Sequence, residues 1–460
     1  MTNRRTDIDG LRAVAVIGVL FFHAKCSTFA GGFVGVDVFF VISGFVITQT
    51  ILRNIKDNRF SFLEFYARRA RRLLPALAIV LLATVVVGGF VLWPVDYRAL
   101  SEQAIASTLF VPNLLFWKET GYFDSSADLK PLLHLWSLGI EEQFYLVWPL
   151  IIFSLAQHRR VLHAFLVLTT LASFFYCAHL TRIDQTAAFY SPLTRYWELS
   201  LGGSMATIGF RRTSAYIRSL VFLGGLIAIS SAFLMFHADA LFPGYRVALP
   251  TLGAAAIIWS GPDNSIAKYT LSLRFVVYVG MISYPLYLWH WPVLSLSRQA
   301  GLEWHPLLLL VLSAILAIVT FELVERRIQM RAPMAVWKPL WTCMAAIAGV
   351  SLAIVTSNGL YMRYPADVVP IVKMKEYDYG KDARLHVCWR EPGKDNPIFP
   401  LECSSPSLSG AILIVGALTQ QGSILGSNGL LTTGQFGKSR NQAAFHRAGI
   451  QHACERWNML

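Results

Sequence analysis

Charge is scarce in this chain. Of 460 residues only 15% are Asp, Glu, Lys or Arg, 55% are apolar, and the mean hydropathy is +0.49. That balance excludes an ordinary soluble enzyme. Cysteine offers little either: Cys26, Cys177, Cys343 and Cys454 show neither pairing nor metal-ligand spacing, so no metal site is expected. No internal repeat is visible, which argues against transporter folds built from duplicated halves. A cleavage site is missing too. The stretch Leu11 to Ala24 follows basic residues as a signal-peptide core would, but His23 and Lys25 stand where small residues would be needed, and we read it as a retained span.

What the chain does have is long apolar runs. A helix needs about 20 mostly apolar residues to cross a bilayer. Such runs recur as far as residue 356, beyond which the chain turns polar and rich in Pro, Ser, Gly and Asn. We place eleven spans, at 8–25, 33–52, 73–93, 132–155, 161–180, 188–210, 217–236, 245–261, 275–297, 306–325 and 339–356. The expected fold is therefore an all-α polytopic membrane protein. The net charge of +13 needs no nucleic acid: with a cytoplasmic N-terminus the cations gather on the inside, at Arg4/Arg5/Arg12, Arg53 to Arg72, Arg159/Arg160, Arg211/Arg212/Arg218, Lys268/Arg274 and Arg326 to Lys338. An odd count puts the tail outside. Cys388 and Cys403 lie there, in a compartment that permits a disulfide, and they are read as either bridged or free.

Ionisable side chains within spans are costly in lipid and each is a functional candidate. Arg12 and His23 are eleven residues apart, about three turns plus 20° of helix, so they share a face about 16 Å apart along the axis. They suit one channel, a cation at its mouth and an imidazole deep inside; an interfacial histidine is the plainer alternative. Arg69 and Arg72, in Ala67-Arg68-Arg69-Ala70-Arg71-Arg72, also share a face, and paired guanidinium forks suit phosphate or pyrophosphate. A lipid-facing anchor is the alternative there. Glu141, in His134-Leu135-Trp136-Ser137-Leu138-Gly139-Ile140-Glu141-Glu142-Gln143-Phe144-Tyr145, is expected to be buried and paired. Asp37 is positioned to orient His23 from the next helix. Arg195 and Glu198 are spaced for an intrahelical ion pair, and His290 sits among aromatics in Tyr287-Leu288-Trp289-His290-Trp291.

Together these motifs resemble the acyltransferase-3 family of bacterial membrane acylases. Asp9-Gly10-Leu11-Arg12 with His23, Gly35-Val36-Asp37-Val38-Phe39-Phe40 through Ser43-Gly44-Phe45, the arginines before Pro75, the Trp-Ser-Leu to Glu-Glu-Gln-Phe-Tyr stretch and the Tyr-Leu-Trp-His block fall in the family's order over about residues 7–330. The resemblance implies an acyl-CoA donor, usually acetyl-CoA, reaching the protein from the cytoplasm. It also implies an exported carbohydrate or lipid-linked glycan as acceptor, such as lipopolysaccharide O-antigen or peptidoglycan, in the bacterial inner membrane. Arg12 and His23 match the family's essential Arg-His pair, and Arg69 and Arg72 its arginine motif; the resemblance thus implies donor binding by Arg12, Arg69 and Arg72 and catalysis by His23, and Glu141 and Asp37, as intramembrane carboxylates, complete the expected catalytic set. Glu325-Arg326-Arg327 departs from the family's frequent Glu-Pro. The expected layout is an acyltransferase core over 1–335, an extra span at 336–356 and a tail at 357–460. Related proteins often carry an outer SGNH-type esterase or transferase domain there. Gly416-Ala417-Leu418-Thr419 stands where such a domain needs Gly-Asp-Ser-His, so the tail is expected to be a remnant without a nucleophile, with Ser423, Ser427 and His446 ordinary loop residues. The rival expectation is a transporter or flippase that uses the same charges as a permeation path.

The charge pattern makes a direct prediction. A reporter fused after Arg72 is cytoplasmic and one fused after Cys403 is periplasmic, and finding both on one side would refute the span count.

Overall fold

The computed structural model describes residues 5–119, 127–208, 213–237, 240–262 and 264–373. The described residues all belong to one compact unit, residues 1–377. The residues on which the remnant reading rests, Cys388, Cys403, Gly416 to Thr419, Ser423, Ser427 and His446, lie outside the described residues.

The described chain is helical, with no strand among the described residues. In order come α1 Thr6–His23, α2 Gly35–Lys56, α3 Phe62–Val91, α4 Pro94–Thr108, α5 Pro112–Glu119, α6 Trp136–Leu155, α7 Arg159–Ile183, α8 Gln185–Tyr190 and α9 Pro192–Ile208. After them come α10 Ala215–Met235, α11 Ala248–Ser260, α12 Ser265–Tyr269, α13 Arg274–Met281, α14 Ser283–Gln299, α15 Pro306–Thr320, α16 Arg326–Gln329 and α17 Pro333–Thr356. Local chemistry sets several boundaries. Ser61 caps α3, its hydroxyl accepting from the backbone N–H of Glu64 at 3.4 Å. Pro306 starts α15 where its missing N–H costs nothing.

Among the described residues seven stretches are long and apolar enough to cross a membrane: Gly32–Lys56, Phe62–Val91, Leu133–Leu155, Arg159–Ile183, Ala215–Met235, Pro306–Gln329 and Pro333–Thr356. Large apolar side chains such as Phe90, Leu168 and Leu308 face outward on them, as lipid contact requires. The chain is an all-α, multi-pass membrane protein. The other expected spans coincide with interrupted or more polar helices. α1 carries Asp7, Asp9 and Arg12. The 188–210 span is broken between α8 and α9 at Ser191 and Pro192, α11 is short, and the 275–297 span is split into α13 and α14. That split falls where the ring of Pro285 excludes the carbonyl four residues back, at Met281. The tenth expected span ends in a π-helical turn, Phe321–Glu325, rather than continuing as α-helix.

α2 lies at the centre, packed along α1, α6, α9 and α11. Its approach to α9 is set by two glycines. A Cβ on Gly44 would stand 1.8 Å from the Leu199 carbonyl oxygen, and one on Gly202 would stand 2.0 Å from that of Val41, so each helix gives up a side chain where the other's backbone passes. Asp37 lies two turns before Gly44, and Arg195 lies two turns before Gly202. The same close approach therefore carries these charges toward each other.

Gly44→Ala forces the two backbones apart and is expected to destabilise the fold by about 1–3 kcal/mol, read as a lower thermal midpoint in detergent. Gly224→Ala on α10, where nothing lies within 4 Å of the new methyl, is the control and is expected to leave the midpoint unchanged or raise it slightly.

Candidate functional site

Three cavities follow one another through the helical unit. The largest, about 590 Å³, is lined by His23, Asp37, His134, Trp136, Arg195 and Trp291 among others; we call it the histidine chamber. Val36 and Tyr287 also line a narrow cleft of about 80 Å³ that holds Arg12, Ser43, Arg69, Arg72 and Glu141. Arg12, Arg72, Ser283 and Tyr284 are shared in turn with an arginine-rich mouth of about 380 Å³, where Arg68, Arg71 and Glu325 join them. Shared walls put the three in series, with Arg12 at one end of α1 and His23 at the other.

His23 is held by a residue that lies far away in the sequence. Its Nδ1 is 3.0 Å from Nε2 of His290, the rings stack with centroids 5.1 Å apart, and Nδ1 of His290 is 2.6 Å from the Tyr287 carbonyl. A carbonyl only accepts, so His290 Nδ1 carries the hydrogen and its Nε2 presents a lone pair. His23 Nδ1 must then donate to it, which leaves the lone pair of a neutral His23 on Nε2. That atom has no hydrogen-bond partner among the described residues, and the side chain lines the chamber. Arg298 holds the end of α1 from the other side, donating to the His23 carbonyl at 3.0 Å and to Asp128 at 2.6 Å, while Lys25 pairs with Asp128 at 2.8 Å.

Asp37 does not orient His23, as its sequence position led us to expect. Its Oδ1 accepts from Arg195 Nη1 at 2.8 Å, and the same nitrogen donates to Glu198 at 3.0 Å. The three side chains are at most 2% exposed. The guanidinium also lies within 5.5 Å of the Trp136, Phe189 and Phe242 ring centroids. The reason is geometric: the glycine-mediated approach of α9 offers Asp37 a cation, while His23 already has a partner on α14. The Arg195–Glu198 pair forms within α9 as its spacing predicts, with Asp37 added.

The arginine motif also divides differently from the expected pair. Arg69 bonds Glu142 at 2.6 Å and lies 3.9 Å over the Tyr145 ring, so its charge is already matched. Glu141 accepts from Ser43 at 2.6 Å and from the Tyr145 hydroxyl. Its side chain stays 21% exposed, so it is paired but open to the cleft rather than fully buried. The cations left for a ligand are Arg12 and Arg72. Neither has a carboxylate within ion-pair distance among the described residues, and Arg12 Nε is buried without a partner. Two unmatched guanidinium groups beside one cavity are poised for an anion. Among the described residues no His, Cys, Asp and Glu cluster is arranged to hold a metal ion.

Sequence reasoning passed over His134, Tyr287, Arg298 and Glu325 as site residues. Tyr287 was recoverable, lying one helical turn before His290, as was His134, the one ionisable residue in a run of Leu and Trp before Glu141. Glu325 is aimed at the mouth by the π turn, which no periodicity reveals.

A family model described as an acyltransferase domain, acyltransferase-3, matches residues 5–324. The chain is 32% identical over 345 residues to the peptidoglycan O-acetyltransferase OatA of Listeria monocytogenes, covering 70% of this chain and 55% of that protein. It is 31% identical over 350 residues to the putative peptidoglycan O-acetyltransferase YrhL of Bacillus subtilis, covering 70% and 54%. To the putative membrane-bound transacylase BcsY of Komagataeibacter xylinus it is 31% identical over 346 residues, covering 72% and 86%. The chain belongs to the acyltransferase-3 family. It spans about half the length of OatA and YrhL. No solved structure matches it.

The two kinds of buried cation respond differently to removal. Arg195→Met leaves Asp37 and Glu198 facing each other without a counter-charge and is expected to destabilise the ligand-free protein by about 3–5 kcal/mol. Arg12→Met removes a cation that has no carboxylate partner among the described residues but a like charge nearby, and the thermal midpoint is expected to hold or rise. Equal losses would show that Arg12 is a structural residue.

Proposed function

We propose that this protein is a membrane O-acyltransferase that carries an acyl group, acetyl in the first instance, from cytoplasmic acyl-CoA to a hydroxyl of an extracytoplasmic glycan. The observation that carries this reading is the series of cavities, with unmatched arginines at one end and a base-ready imidazole at the other. The positive-inside pattern supports an arginine mouth that faces the cytoplasm and a histidine chamber that faces the outside of the inner membrane. Arg12 and Arg72 would then hold the donor's phosphates, with Arg69 shaping the cleft wall through Glu142 and Tyr145. The pantetheine arm would lie in the cleft; its extended length is comparable with the distance of about 16 Å between Arg12 and His23 along α1.

In the chamber the chemistry needs a base and an acceptor hydroxyl within reach of it. His23 Nε2 takes the hydroxyl proton as the oxygen attacks the thioester carbonyl, and the tetrahedral adduct then expels the CoA thiolate, which recovers the proton from His23. His290 acts as a positioning residue, fixing the tautomer that leaves Nε2 free. Asp37, Arg195 and the Trp136, Phe189 and Trp291 rings line the chamber, a wall of the kind that stacks on sugar faces and bonds their hydroxyls. O-antigen and peptidoglycan are both acceptors of this class, and the names of OatA and YrhL support the latter. In this proposal the core is residues 1–335, with 336–356 as an added span and 357–460 as an external tail.

The full chain in proteoliposomes is expected to release CoA slowly from acetyl-CoA, His23→Ala to abolish that release, and His290→Ala to lower it by about 10²-fold. A transporter that used the same charges as a permeation path would release none, and release unaffected by His23→Ala would overturn the assignment.

A further inference from the structure

His134 is a buried histidine that the scheme above does not use. It sits in the 3₁₀ turn Leu133–Leu135 just before α6, lines the histidine chamber and is 3% exposed. Both ring nitrogens are buried with no hydrogen-bond partner among the described residues. Its ring lies 5.5 Å from that of His290 and 5.4 Å from that of Tyr287, so it flanks His290 as His23 does. The turn that holds it is fixed: its carbonyl accepts from the Tyr287 hydroxyl at 2.8 Å, which is in turn 2.7 Å from Ser137 Oγ. An imidazole with neither nitrogen satisfied forfeits the hydrogen bonds it would make in water, a cost that a purely structural position would avoid by holding an apolar side chain. Its other chamber neighbours are already engaged: Arg195 with Asp37 and Glu198, and the Trp291 indole N–H with the Lys130 carbonyl at 2.8 Å.

We infer that His134 is a second catalytic residue of the chamber, whose ring N–H donates to the carbonyl oxygen of the acyl group in flight. The inference rests on the acyl-transfer reading. Once its Nδ1 is committed to His290, His23 has only a lone pair to offer, so it serves as base and has no donor for the oxyanion. A neutral imidazole always carries one N–H, and among the described residues the one group close enough to compete for that of His134, the Leu288 backbone, falls outside hydrogen-bond geometry. As the acceptor oxygen bonds to the acyl carbon, the carbonyl π pair moves onto oxygen, and the His134 N–H binds that charge. When the adduct collapses the C=O re-forms, the C–S bond breaks, and the proton held by His23 passes to the thiolate. His134 itself neither gains nor loses a proton.

The test uses the full chain in proteoliposomes with acetyl-CoA, comparing His134→Leu, His134→Gln and His23→Ala for turnover, acetyl-CoA affinity and thermal midpoint. His134→Leu is expected to cut turnover by about 10²- to 10³-fold, the usual effect of losing one oxyanion donor. Acetyl-CoA affinity should stay the same, and the midpoint should hold or rise because two unsatisfied nitrogens are gone. His134→Gln, whose amide N–H can replace the donor, is expected to recover at least about tenfold of that loss. Turnover in His134→Leu within about threefold of wild type, with His23→Ala inactive, would overturn the role of His134 and leave the acyl-transfer reading standing. Equal losses in the Leu and Gln variants with lowered midpoints would also overturn it, by showing a packing residue. Full activity in His23→Ala would instead overturn the acyl-transfer reading, and this inference with it.

Discussion

In a bilayer an ionisable side chain has to be matched by an opposite charge or opened to a polar cavity, and this constraint organises the interior of the protein. Asp37, Arg195 and Glu198 satisfy it by mutual pairing, and the glycine contact between α2 and α9 is what allows their helices to come that close. Arg69 and Glu142 satisfy it in the same way. Arg12, Arg72, His23 and His134 do not, and all four line the cavities. The matched groups hold the helices in register; the unmatched ones mark where a ligand has to come.

This division gives the site its polarity. α1 contributes to both ends, Arg12 to the cleft and mouth and His23 to the chamber, so one rigid helix fixes their separation. α14 supplies His290 to tune His23 and Tyr287 to border both chamber and cleft. Because these residues sit on helices rather than loops, the distance between Arg12 and His23 does not depend on loop segments.

Much of this was legible in the sequence wherever the relevant distances are short along the chain. The apolar runs gave the helices, the eleven-residue interval gave the common face of Arg12 and His23, and the three-residue interval gave the Arg195–Glu198 pair. The failures involve tertiary partners. His23 and His290 are separated by 267 positions, and no periodicity joins them. Asp37 was assigned to the nearer candidate in sequence, yet the α2–α9 approach delivers it to Arg195. Arg69 and Arg72 differ by about 60° around the helix, enough to turn one toward Glu142 on α6 and the other toward Arg12 on α1. The break at Met281 was signalled by Pro285 but hidden within a continuous apolar run.

In the proposed mechanism one donor molecule bridges an anion-binding end and a basic end. Equilibrium binding of acetyl-CoA to the full chain, followed by a single-turnover measurement of transfer, tests it in two variants. Arg12→Ala is expected to weaken donor binding, while His23→Ala is expected to bind the donor nearly as well as wild type and not to transfer. Loss of binding in His23→Ala with normal binding in Arg12→Ala would contradict the polarity of the path and, with it, the assignment of His23 as the base.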